Sequence, residues 1–231
     1  MSDHEPDEGT LGVTDRTRHS RLREKGSVSR RDLHEVLRAG FVCHLGFILD
    51  GTPMALPTTY GFDAEADLLY LHGSVASRSL VDSPSQTISV TVTLVDGLVL
   101  ARSLFEHSVN YRCAMVFGAP RVVTDEAEKL RGLEVLSEHL APGQWDYARQ
   151  PSRKELVATT LLALPLAEAS VKISAGHPDD GESPDGELPV WAGRLPLQHH
   201  WGTPEPDPLL REGIPLPDHI ASRTGGRAGS I

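Results

Sequence analysis

FVCHLGFILDGTPMALPTTYGFDAEADLLYLHGS, residues 41–74, decides the fold class. Residues 41–49 are apolar, aromatic and β-branched, which favours a strand over a helix. Asp50-Gly51 is a strong hairpin signal because both positions tolerate positive φ. Residues 53–62 read as the return strand, and Pro57, which cannot donate to a ladder, marks an edge or an irregularity. A polar turn at 63–67 leads into a third strand at 68–72 that ends at Gly73-Ser74. Three strands follow one another here with no helix between them, so strand pairing in this stretch is antiparallel.

Outward from this stretch the pattern continues. Residues 75–82 form a short helix, 87–95 a strand rich in β-branched residues, Asp96-Gly97 a turn, 98–104 its return, and 111–123 a long strand kinked near Gly118 and Pro120. Asp125 caps a helix carrying Leu130, Leu133, Leu136 and Leu140, stopped by Pro142-Gly143. Ser152 and Glu155 form a capping box for a helix reaching about 162, and 164–174 is the closing strand. Upstream, Ser29 and Asp32 open a helix with an apolar stripe of Leu33, Val36 and Leu37, ended by Gly40. The sum is a mainly β fold, an antiparallel β-barrel with flanking helices, and not a doubly wound sheet.

Charge and composition divide the chain into three parts. Residues 1–27 carry an acidic block and then Arg16, Arg18, Arg21, Arg23 and Lys25, with no apolar periodicity, and are expected to be a disordered or loosely docked tail. Residues 28–175 are the barrel. Residues 176–231 are rich in Pro, and are expected to wrap the barrel and end in a disordered Gly-rich tip at 225–229. With 39% hydrophobic and 23% charged residues, the 231-residue chain has globular composition. A net charge of -10 argues against nucleic acid or an anionic membrane as partner of the whole surface. The acidic N-terminal stretch MSDHEPDEGT has no apolar core and is not a secretory signal, and the apolar stretch 156–167 is too short to span a bilayer. Two cysteines, Cys43 and Cys113, do not make a disulfide framework and fit a reducing cytoplasm. CxxC, HExxH, GxxxxGK and GxSxG are all missing, which sets aside a zinc ribbon, a zincin, a P-loop NTPase and a serine hydrolase.

Three polar clusters could carry chemistry. His72-Gly73-Ser74-Val75-Ala76-Ser77-Arg78 is a strand end, small residues and a helix start, a plan that suits a phosphate, although a capped helix with a surface Arg has the same pattern. Thr58-Thr59-Tyr60 puts hydroxyls into an apolar hairpin, either as ordinary strand residues or as partners for the polar edge of a planar heterocycle. Residues 102–112 concentrate donors between two strands, either as a solvated hairpin loop or as part of a site. His44 and Cys43 fall on opposite faces of a strand and read as core or surface residues. His199-His200 lacks supporting ligand spacing, so no metal is assigned, and Trp191 and Trp201 read as packing anchors for the extension.

These clusters lie in stretches that together resemble the pyridoxamine 5'-phosphate oxidase-like family of FMN-binding split barrels, in the branch near the nitroimidazole-resistance flavoproteins. The stretches are VCHLGFILDGTPMALPTTYGFD (42–63), DLLYLHGSVASRSL (67–80), VTVTLVDGLVLARSLFEHSVNYRCAMVFGAPRVV (90–123), LVATTLLALPLAEASVKISAGHPDD (156–180) and WAGRLPL (191–197). The resemblance implies a six-stranded antiparallel Greek-key split barrel and a homodimer holding FMN at its interface. It implies that Ser77 and Arg78 hold the phosphate and that Thr58, Thr59 and Tyr60 line the isoalloxazine. His72, Gly73 and Ser74 would lie beside the ribityl chain and ring, and Ser108, Asn110 and Tyr111 would approach from the barrel wall, across the dimer. Arg78 supplies the charge where many relatives carry Lys, Cys113 stands in place of Ser, and Ser174 in place of Arg. The implied function is an FMN-dependent oxidoreductase acting on a small organic substrate or electron acceptor, with His72 as the candidate proton donor. A non-catalytic flavin carrier or sensor, and the same barrel holding deazaflavin or haem, share this pattern.

Overall fold

The computed structural model of the chain describes residues 9–224. A short strand β1 (Gly26–Ser27) precedes helix α1 (Arg30–Ala39), which starts where the Ser29 side chain accepts from the Asp32 amide and stops at Gly40. Strands β2 (Val42–Leu49) and β3 (Thr52–Thr59) form a hairpin whose turn residues Asp50 and Gly51 have φ of 50° and 76°. Next come β4 (Gly61–Asp63), β5 (Leu68–Ser74), α2 (Arg78–Asp82) and the long hairpin of β6 (Ile88–Leu100) and β7 (Ser108–Gly118). Strand β8 (Arg121–Val122), helices α3 (Glu126–Leu140), α4 (Gln144–Tyr147) and α5 (Arg153–Ala158), and strands β9 (Thr159–Pro165) and β10 (Ala169–Ser174) complete the barrel. In the extension lie β11 (Gly193–Pro196) and α6 (Asp218–Thr224).

Among the described residues the strands make two antiparallel sheets. One has the order β1-β10-β7-β6-β2-β3, with β11 added to β6, and the other the order β4-β5-β9-β8. The sheets face each other without closing, which is a split barrel with helices on its flanks. Alternation along the strands fills the space between them: Cys43, Leu45 and Phe47 of β2, Val90 and Val92 of β6, and Val116 of β7 meet Leu69 and Leu71 of β5. Leu33, Val36 and Leu37 of α1 plug one end of this core. A second core on the outer face of the small sheet joins Tyr70, Leu161 and Ala163 to Val135 and Leu136 of α3.

Several boundaries differ from the sequence expectation: the strand expected at 53–62 divides into β3 and β4, and that at 111–123 into β7 and β8, each pair split between the two sheets, and the helix expected at 75–82 starts at Arg78. Asp96-Gly97 is not a turn: β6 runs through it, and the register with β7 shifts between Val95 and Gly97 as a β-bulge. Gly97 has φ 153°, and a Cβ there would lie 2.6 Å from the Leu195 carbonyl of β11, so close strand approach as well as φ selects glycine. Helix α5 ends at Ala158, not near 162, and the closing strand is two strands, β9 and β10. The β-branched pair Thr159 and Thr160 starts β9, and its apolar run alternates between the two cores: Leu162 and Leu164 enter the first, Leu161 and Ala163 the second.

The N-terminal segment is more firmly held than the expectation of a disordered or loosely docked tail. Its first eight residues lie outside the described residues, but Leu11 is buried in the main core and its amide donates to the Val28 carbonyl at 2.8 Å. Arg16 and Thr14 both bond Glu168, in the β9–β10 turn, and the His19 ring bonds the Val171 carbonyl at 3.0 Å. One apolar anchor and these polar contacts offset the lack of periodicity. At the other end, the extension folds back on the barrel. Trp201 packs against Phe41 at 5.6 Å with Arg223 at 4.5 Å over its ring, and Arg223 donates to the Leu140 carbonyl. The Gly-rich tip expected at 225–229 lies outside the described residues.

Candidate functional site

Among the described residues strand β3 is an edge strand, paired only with β2, and residues 52–57 are exposed although Met54 and Leu56 are apolar. Pro53 and Pro57 have no amide hydrogen, which suits an edge. Beside it runs the end of β5 with His72, Gly73 and Ser74, followed by Ser77 and α2. A Cβ at Gly73 would meet Leu80 of α2 at 2.7 Å, so the glycine lets α2 seat against the strand. β3 and the β5–α2 segment, which carry Thr58, Thr59, His72, Gly73, Ser74, Ser77 and Arg78, are thus neighbours, with Arg78 at the turn end of β3 and Thr58 and Thr59 at its other end.

Arg78 is already paired. Its guanidinium makes two hydrogen bonds to Asp50 of the β2–β3 turn, at 2.9 and 3.1 Å, and lies 3.8 Å from Asp82. The side-chain hydrogen bonds from Arg78 hold the Asp50 carboxyl below the usual carboxylate range. Both side chains are largely exposed, so the pair is one that an incoming anion can exchange with. Asp50 is the neighbour of the candidate site that the sequence reading missed; its turn role was legible, but its partner 28 positions away was not. Ser77 Oγ bonds Ser79 Oγ at 2.9 Å, and α2 has only five residues, so its dipole adds little to the cradle.

Tyr60 faces away from this surface. Its ring is fully buried and its hydroxyl donates to the Leu37 and Gly40 carbonyls, at 2.7 and 2.9 Å. Only its backbone can border a ligand. The Gly40 carbonyl also accepts from His139 Nε2 at 2.7 Å, so that nitrogen carries the proton. Burial pushes the Tyr60 phenol up and the His139 imidazole down.

His72 sits on the exposed side of β5 with its pKa lowered by desolvation, so its imidazole is neutral at pH 7. Ser108, Asn110 and Tyr111 are not brought to this region within one chain, because β6 and β2 lie between β7 and β3. Asn110 instead clasps the Gly176 backbone through both its amide atoms, and Tyr111 lies 6.0 Å below Lys172. His44 is exposed on the outer face of β2, and Cys43 on the inner face has its thiol pushed up to about 12 by burial. Among the described residues no three His, Cys, Asp or Glu side chains are grouped to hold a metal ion, and no helix is long and apolar enough to cross a membrane.

With this geometry the family can be stated. The sequence profile of the pyridoxamine 5'-phosphate oxidase family matches residues 29–173, and the chain belongs to that family. Among solved structures it is similar to the flavocytochrome Anf3 from Azotobacter vinelandii, with 34% identity and a TM-score of 0.86 over 94% of this chain and 98% of that one. It is also similar to the FAD and haem binding protein from Mycobacterium smegmatis, with 37% identity and a TM-score of 0.82 over 87% of this chain and 98% of that one. A protein from Bacteroides thetaiotaomicron described as a 5-nitroimidazole antibiotic resistance protein shares the fold, at 19% identity and a TM-score of 0.53 over 64% of this chain and 86% of that one. No curated protein matches the sequence.

Proposed function

We propose that this chain is a flavin- and haem-binding oxidoreductase that works as a homodimer on a small electron acceptor. The observation that carries this reading is its near full-length likeness, at 34% and 37% identity, to two proteins described as binding flavin or FAD together with haem, or as a flavocytochrome. The expectation of FMN alone came from the barrel, which both kinds of protein share; the likeness to these two extends through the C-terminal extension, beyond the family profile. The residues at the β3 edge fit a flavin. Thr58 and Thr59 offer hydroxyls and strand backbone for the polar edge of the ring, Gly73 and Ser74 leave room for a chain, and Ser77 and Arg78 face a phosphate once Asp50 yields.

His72 fits haem. It has no side-chain partner among the described contacts, and a neutral imidazole is the usual haem ligand. In this reading His72 is the candidate iron ligand in place of the flavin proton donor. When bound, flavin and haem together would relay electrons between a two-electron donor and one-electron carriers. The protein's part is to orient both, keep water from the ring and keep His72 unprotonated.

The test is the absorption spectrum of purified protein supplied with haem. Flavin bands together with a Soret band are expected, and His72→Ala should lose the Soret band while keeping the flavin. Flavin bands alone after haem supply would favour the FMN-only reading, and a deazaflavin spectrum would overturn both.

A further inference from the structure

Where the N-terminal segment crosses the β1 edge of the large sheet it encloses a cavity of about 120 Å³. β3 is the opposite edge of that sheet, so this cavity is separate from the candidate cofactor site. Its walls come from the segment, from β1 and from β10. Its ionisable lining is all basic: Arg18, Arg23 and the His19 imidazole, with no carboxylate among them. That is an exception in a chain of net charge -10.

Elsewhere the arginines are spent on the protein's own carboxylates. Asp180, buried in the extension, accepts from the Arg102 guanidinium at 3.1 Å and from the amides of Arg102 and Ser103 in the β6–β7 turn. Arg112 holds Asp96, and Arg16 holds Glu168. Arg23 has no carboxylate within ion-pair distance among the described residues. Arg18 lies 3.5 Å from Asp15, whose side chain is 98% exposed, a pair that water screens and an anion can displace.

The floor of the cavity holds an unused donor. Ala169 and Val171 enter the main core, so Ser170 between them faces the other side of β10, where it is only 5% exposed. His19 Nε2 lies 3.0 Å from the Val171 carbonyl and 3.2 Å from Ser170 Oγ. A carbonyl only accepts, so Nε2 carries the proton and Ser170 Oγ accepts as well. The Ser170 hydroxyl proton is then left without an acceptor among the described hydrogen bonds. A buried donor in that state is costly, and a ligand oxygen relieves it. Gly26 is the seat of the His19 ring, since a Cβ there would run into it.

Two guanidinium forks and a hydroxyl approach from three different parts of the chain. Acceptors in several directions suit a tetrahedral oxyanion better than a planar carboxylate. The volume is well below the roughly 300–1,000 Å³ of pockets that enclose whole cofactors. We propose that this cavity binds a phosphate group, as the free ion or as the phosphate of a small monoester, through Arg18, Arg23 and the Ser170 hydroxyl. Because its walls belong both to the segment and to the barrel, the bound anion fastens the N-terminal segment in place.

The test is calorimetric titration of the full chain, supplied with flavin, with sodium phosphate in place of chloride at constant ionic strength. It is repeated in the Arg78→Ala chain, so that phosphate at the β3 edge is not counted. One phosphate per chain is expected. Arg18→Gln and Arg23→Gln should each weaken it at least about tenfold, and Ser170→Ala about three- to tenfold. Arg21→Gln makes the same charge change outside the lining and should stay within about twofold, because salt screens an exposed charge. Phosphate should slow hydrogen exchange at residues 11–19 and leave 52–59 unchanged. Arg18 and Arg23 are exposed, so without phosphate their variants should keep the native circular dichroism and melting point. Tighter binding of glycerol 3-phosphate than of inorganic phosphate would assign the site to a monoester, and the reverse order to the free ion. Absence of binding, succinate binding as tightly as phosphate, or an equal loss in Arg21→Gln and Arg23→Gln would overturn the proposal.

Discussion

Arg78 and Asp50 are two exposed residues whose pairing decides whether a phosphate has a cation to meet. Removing the competitor should help the ligand: Asp50→Asn is expected to tighten flavin mononucleotide or dinucleotide binding, and Arg78→Ala to weaken it by about ten- to a hundredfold, the effect of losing a charged partner. Fluorescence titration of cofactor-free protein reads both, and riboflavin, without phosphate, should respond to neither. Equal affinities throughout would remove α2 from the site. His139 gives a second test at the same scale. Its folded-state pKa is lowered by burial, so below about pH 6.5 the unfolded chain takes up a proton that the folded chain resists. The stability linked to this group is complete above that pH and declines as pH falls towards the lowered value. Urea melts from pH 8 to pH 5 should show the decline, and His139→Gln, which keeps a donor for the Gly40 carbonyl, should flatten it.

At the scale of elements, the caps and alternations were legible and the exceptions were set by distant contacts. The Ser29 and Ser152 starts, the Asp50-Gly51 hairpin and the edge position signalled by Pro57 follow from local chemistry, and each is present. Asp96-Gly97 carries the same dipeptide as Asp50-Gly51 but makes a bulge, because Arg112 holds the Asp96 carboxylate through two hydrogen bonds and β11 packs along the strand. No local signal announces a strand contributed from a hundred residues downstream. The candidate site divides in the same way: the proximity of Thr58 and Thr59 to the β5–α2 segment could be expected because chain order nearly equals spatial order there, whereas Asn110 looked like a ligand donor and spends its amide on Gly176. Gly97→Ala is expected to detach β11, since the added carbon would fall 2.6 Å from the Leu195 carbonyl. Hydrogen exchange should then show faster exchange at 193–196 while β2 and β7 stay protected.

On the scale of the whole molecule, the described residues on both sides of the family profile, which covers 29–173, are worked into the barrel. Leu11 belongs to the main core, and Glu168 ties Thr14 and Arg16 to the β9–β10 turn. Deleting residues 1–27 should therefore cost stability on the order of a core truncation, about 2–5 kcal/mol, in chemical denaturation. An unchanged midpoint would mean that the segment is held only by its surface bonds. The bond from the Arg102 guanidinium to Asp180 spans 78 positions of sequence, longer than the reach of any contact within the β6–β7 hairpin. Synthesis proceeds from the N-terminus at about 5–20 residues per second, so the last barrel strand, β10, leaves the ribosome before Asp180 does. The barrel can close while the turn bearing Leu104 and Phe105 is still slack, and the turn becomes fixed only as the extension is laid down. The order of emergence thus works as a timer: the turn that exposes Leu104 and Phe105 gains its clasp from Asp180 only after the strands beneath it have been made.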